Sequence, residues 1–136
     1  MSVIDDFADK LTSQGVATTG TNLFKHFMPL GPDEMLGLFA TGGPAPIDAM
    51  GASGSLPIAE RPHVQVMGRS GRPSDAMYLV QKAYRHLHNL GPVTINGVIY
   101  RHITALQGPF FLYTDETGRY IYACNFEAIR DAATSS

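Results

Sequence analysis

The dipeptide Asn96-Gly97, set between Val93-Thr94-Ile95 and Val98-Ile99-Tyr100, constrains this chain more than any other feature. Two residues that tolerate positive φ, flanked by apolar alternation, are the strongest short-range signal for a two-residue β-hairpin. From there the pattern keeps a period of two. The second strand runs on through Ile103 to Leu106 and stops at Gly108-Pro109. Residues 110–114 and 119–127 form a further hairpin across Asp115-Glu116-Thr117-Gly118, with Gly118 where a four-residue loop needs a left-handed residue. On the last strand Tyr120, Tyr122, Cys124 and Phe126 face one way, Asn125 and Glu127 the other. The C-terminal third is therefore antiparallel sheet.

Upstream, helical and strand periods alternate. Ile4, Phe7 and Leu11 recur at helical spacing, with Asp5, Asp6, Asp9 and Lys10 on the other side and Gly15 as a stop. Residues 23–28 and 35–40 read as strands, and the breaker Pro29-Leu30-Gly31-Pro32-Asp33 between them is hairpin-sized. Residues 63–67 are a strand with Val64 and Val66 on one face. The clearest helix follows, with Ser74 as N-cap, a stripe of Ala76, Val80, Ala83, Leu87 and Leu90, and a stop at Gly91-Pro92. The fold class expected is α+β: a mostly antiparallel sheet with two helices packed on it and one long Gly/Pro-rich loop. At 136 residues the length suits one domain, spanning 1–130, with 131–136 as a frayed tail.

That loop, residues 42–57, has too many breakers for a regular element: Gly42, Gly43, Pro44, Pro46, Gly51, Gly54 and Pro57. Ile47, Met50 and Leu56 make it too apolar for a solvated linker. It reads either as an arm that orders against a partner or as a floppy loop. Pro44, Pro46, Ile47, Met50, Leu56 and Pro57 are the candidate partner-contacting residues.

Catalytic patterns do not emerge. Gly68-Arg69-Ser70-Gly71-Arg72 lies before a helix, where anions bind, but matches neither the dinucleotide nor the P-loop spacing. The stronger reading is a glycine turn with two solvated arginines. Ser53 and Ser70 are each followed directly by glycine, which is not a nucleophile elbow. His86 and His88 diverge on their helix, and His26, His63 and His102 fall on separate strands without a close second ligand. Cys124 sits among aromatics and reads as a small core residue. Asp115 and Glu116 belong to a turn. No catalytic, cofactor-binding or metal-binding set is expected, and the chain reads as a building unit.

Charge agrees with that reading. Charged residues make up 16% of the chain, net charge is −2, and there is no basic run that would neutralise phosphates. Low charge suits a surface that ends up against partners, because interface cores are depleted in charge. A single cysteine excludes an internal disulfide framework. Neither a signal peptide nor a membrane span is expected, and the single cysteine fits assembly in a reducing cytoplasm.

Several phrases occur in a telling order: Glu60-Arg61-Pro62-His63-Val64-Gln65-Val66, Ala83-Tyr84-Arg85-His86-Leu87-His88, and Ile95-Asn96-Gly97-Val98-Ile99-Tyr100. Ala105-Leu106-Gln107-Gly108-Pro109, Asp115-Glu116-Thr117-Gly118-Arg119 and Asn125-Phe126-Glu127 complete the succession. The set resembles the phage minor capsid protein, or tail terminator, family of long-tailed bacteriophages. The resemblance implies a non-enzymatic virion protein without cofactors, placed in the tail at the head–tail junction. It further implies a ring of copies of this chain, six-fold in related terminators, seated on the major tail tube protein and meeting the head-completion or stopper proteins. DNA would only pass through the lumen. Two alternatives stay open: a head-completion subunit, and a small enzyme taking an anionic ligand at residues 68–73.

Overall fold

The computed structural model describes residues 2–44 and 59–131. Helix α1 (Val3–Ser13) is followed by strands β1 (Leu23–Lys25), β2 (Met35–Gly42), β3 (Ala59–Glu60) and β4 (His63–Ser70). Helix α2 (Pro73–Leu87) leads to β5 (Val93–Ile95), β6 (Val98–Ala105), β7 (Phe110–Thr114) and β8 (Tyr120–Asp131). The strands form one sheet in the order β1-β2-β4-β8-β6-β5, with β3 and β7 also paired to β8. All pairings are antiparallel except β1 with β2. This is the α+β architecture expected.

Strand β8 organises the sheet. One edge pairs with β4 over residues 120–127 and then with β3 at Arg130 and Asp131. The other edge pairs with β7 over residues 120–123 and with β6 over residues 126–130. Asp131 is thus the last residue of the strand and not part of a frayed end; residues 132–136 lie outside the described ones.

Both helices cover one face of the sheet. Ile4, Phe7 and Leu11 of α1 and Val80, Ala83 and Leu87 of α2 meet Leu36, Leu38, Val64, Val66, Cys124 and Phe126 in a single core. Phe7 packs edge-to-face on Phe126, with ring centroids 6.3 Å apart. Helix α1 opens on a capping box between Ser2 and Asp5. Helix α2 begins two residues earlier than an N-cap at Ser74 predicts: Arg72 is the N-cap and Pro73 takes the first turn, where its missing N–H is harmless. The Asn96-Gly97 hairpin forms as read, both residues having positive φ (51° and 78°).

Gly68 lets α2 approach β4. A Cβ there would lie 2.6 Å from Val80 Cγ2 and 2.9 Å from the Ala76 carbonyl oxygen. Backbone cannot yield as a side-chain end can, so Gly68→Ala is expected to destabilise the domain by about 1–3 kcal/mol through overpacking. Urea unfolding checks this, and an unchanged midpoint would show that the helix shifts freely.

The 29–33 breaker does not close a hairpin. β1 runs parallel to β2, with Leu23 opposite Leu36 and Lys25 opposite Leu38. His26, at φ 72°, turns the chain out of β1. The 26–34 segment then crosses the sheet face opposite the helices, where Met28 lies against Gly37, and re-enters in the same direction. Because β1 has three residues, a crossover shorter than usual suffices.

Candidate functional site

The most heavily bonded surface feature is that crossover. The guanidinium of Arg69 donates to the carbonyl oxygens of Pro29 (2.6 Å), Pro32 (2.8 Å), Leu30 (3.3 Å) and Asp33 (3.4 Å). Arg119 donates to the Leu30 carbonyl oxygen, to Asp33 Oδ1 (3.4 Å) and to Asp115 Oδ2 (2.9 Å). The two arginines are 4% and 7% exposed. Burial and the neighbouring Arg119 charge lower the pKa of Arg69. Two buried cations thus hold a proline-rich loop by its main chain.

This corrects the sequence reading of residues 68–72. Arg69 is not solvated, because β4 extends through Ser70 and strand alternation carries Arg69 to the face away from the helices. Ser70 Oγ accepts from the Arg72 N–H at 3.3 Å, occupying a donor that an anion would use.

The loop exposes two large apolar side chains beside the charged Asp33 and Glu34. Leu30 is 83% exposed and Phe27 58%. Met28 and Leu30 line a groove of about 250 Å³ together with Tyr113, Ile121, residues 115–117 and the two arginines. Asp115 is locked into the turn. Burial pushes its pKa up, but the Arg119 N–H, the Thr117 hydroxyl, the Arg119 guanidinium and the Thr117 N–H outweigh this and hold it at about 2.

At the other end of the sheet stands the root of the 42–57 loop. Gly42, Gly43 and Pro44 lie beside Glu60, Arg61 and Pro62, so the chain departs and returns at one place. Gly43, at φ 138°, lies so near the Arg61 carbonyl oxygen that a Cβ would come within 2.4 Å of it. Of the candidate contact residues, Pro44 is exposed beside this root, while Pro46, Ile47, Met50, Leu56 and Pro57 lie outside the described residues.

A buried polar network braces the returning strand. Asp6, fully buried, accepts from the Tyr100 hydroxyl and from Asn96 Nδ2 (2.8 Å), with Arg130 NH1 at 3.7 Å. Arg130 also pairs with Glu60 at 2.7 Å. Burial and the bond to Asp6 push the Tyr100 hydroxyl pKa far up. The sequence reading placed Asp6 on the solvated side. It lies three residues from buried Val3, so the buried stripe of α1 is one position wider than Ile4, Phe7 and Leu11 suggest.

Cys124 and three of the histidines have partners within the fold. Cys124 is buried, its thiol is pushed up to about 11 by burial, and Sγ lies 3.2 Å from the Gln107 carbonyl oxygen. That is the opposite of an activated thiolate. His63 pairs with Glu127 at 2.8 Å, His102 meets Asn89 at 2.9 Å, and His88 Nδ1 accepts from the Ala105 N–H at 3.0 Å. Among the described residues no three His, Cys, Asp or Glu side chains could hold a metal ion. No helix among them is long and apolar enough to cross a membrane.

The family described as bacteriophage tail terminator protein matches residues 10–132. Among solved structures, a chain from the virion of a native gene transfer agent particle superposes with a TM-score of 0.66. It is 12% identical, and the match covers 96% of each chain, a likeness of fold. No curated protein sequence matches this chain.

Proposed function

Because the chain belongs to the bacteriophage tail terminator family and is a structural protein of the virion tail, we propose that it closes the tail tube as a ring of identical copies and joins it to the head. The supporting observation is the extent of the family match, from within α1 to just past β8. In this reading the partners are a neighbouring copy on each side, six in the ring, with the major tail tube protein below and head-completion proteins above. DNA passes through the lumen, and the small negative net charge keeps it from sticking. The ring works without catalysis or cofactor: its task is to cover the annulus of the tube and offer no further tube-binding face. Residues 42–57 serve as the arm toward a partner, with Pro44, Pro46, Ile47, Met50, Leu56 and Pro57 as its contact residues.

A phage lacking this protein tests the reading. Electron micrographs of lysates are expected to show unjoined heads and tails of abnormal length, because nothing stops tube growth. Adding the purified protein during assembly restores virions. Unattached heads beside tails of normal, uniform length would reassign it to head completion.

A further inference from the structure

Resting on the ring reading above, we propose that the groove between the 26–34 crossover and the β7–β8 hairpin receives residues 45–58 of a second copy of this chain. An exposed leucine alone needs no explanation. Leu30 is different because its loop is held by the two buried arginines through four of its carbonyl oxygens. A side chain fixed in position while exposed has already met the ordering cost of association, which favours binding. Met28 and Tyr113 provide apolar surface beside it, and Asp115, Glu116, Thr117 and the two arginines supply the polar lining. At about 250 Å³ the groove falls below the roughly 300–1,000 Å³ of small-molecule sites. It fits inserted side chains better than a free ligand.

The occupant follows from chemistry and reach. Residues 45–58 carry one charge, Asp48, and the large apolar side chains Ile47, Met50, Leu56 and Ile58. Their own chain's groove lies at the far end of the sheet. Tyr113 is opposite Ile121, whereas Ala59 is opposite Asp131, ten residues along β8, or roughly 33 Å. Gly42 is opposite His63, itself opposite Glu127, six residues from Ile121, or roughly 20 Å. A path to the groove and back therefore needs roughly 53 Å before any sideways travel. The seventeen steps from Gly42 to Ala59 supply at most roughly 58 Å when fully extended. That leaves roughly 5 Å of slack, about one strand spacing, for all travel across the sheet. A neighbouring copy has no such restriction. Two unlike patches at opposite ends of one subunit make a heterologous contact, the kind that closes into a ring.

Disulfide trapping tests this. Leu30→Cys is co-expressed with Ile47→Cys, Met50→Cys or Leu56→Cys in a copy carrying a larger tag, with tail tubes present, and the assembly is oxidised. Cys124 stays, being buried. The expected product is a mixed-tag disulfide dimer for at least one pair. A ring on the tubes that gives no mixed-tag product with any of the three overturns this inference and leaves the ring reading intact. Absence of any ring on the tubes overturns the ring reading and this inference with it. A Leu30→Cys/Met50→Cys double variant that closes its disulfide within one chain overturns the assignment to a second copy.

Discussion

A phage supplied only with the Met50→Asp/Leu56→Asp variant is expected to produce no joined virions, while the variant protein itself stays folded. Both positions lie outside the described residues, and the core described around Phe7, Val66 and Phe126 is made by other side chains. In the proposed contact each aspartate would carry an uncompensated charge into a desolvated interface, at a cost on the order of several kcal/mol per site. Since about 1.4 kcal/mol is a factor of ten in affinity, the two together abolish subunit pairing at any cellular concentration. The decisive pair of measurements is a thermal unfolding curve and a plaque count. Wild-type melting with wild-type plaques would remove residues 42–57 from any role in assembly.

The second large effect concerns the core. Asp6→Ala is expected to destabilise the domain by about 3–5 kcal/mol, the usual result of removing one partner from a buried ionic network. Tyr100 would keep a buried hydroxyl without its carboxylate acceptor, and Arg130 would retain Glu60 and its 3.4 Å bond to the Tyr100 hydroxyl. Against a total stability of about 5–15 kcal/mol this is a large fraction, and the melting temperature should fall by roughly 10–20 °C. Tyr100→Phe should cost clearly less in the Asp6→Ala background than in the wild type, because the bond it removes is already lost. Equal costs in the two backgrounds would mean that the two side chains do not act together. The same change reaches the proposed arm, since Arg130 ties Asp6 to Glu60 where the chain returns from residues 42–57.

The corrections to the sequence reading share one origin. Asp5 and Asp6 are adjacent on α1, yet Asp5 meets Lys25 at the surface while Asp6 is sealed in the core. Asp5 closes the local capping box, whereas what Asp6 meets in the core is set by Tyr100 and Asn96, about ninety positions away in the chain. Arg69 and Arg72 divide in the same way: one binds a loop more than thirty residues upstream, the other stays exposed beside α2. The crossover from β1 to β2 had the length and the turn residues of a hairpin. Its parallel outcome goes with the hold of two arginines from elsewhere in the fold, Arg69 on β4 and Arg119 just before β8.

By itself the sequence determined whatever a few neighbouring residues can enforce. Asn96-Gly97 and Gly118 turn the chain because their own φ angles permit it. The stripes Ile4-Phe7-Leu11 and Ala76-Val80-Ala83-Leu87 make helices because one face of each must leave water. The order of its phrases also pointed to the family that the match over residues 10–132 establishes. Which charged groups are buried, which way β2 runs beside β1, and that the groove and the root of the 42–57 loop stand at opposite ends of β8 were settled by long-range packing. Each of these depends on pairings between distant residues, whose free energy exists only once the sheet has closed.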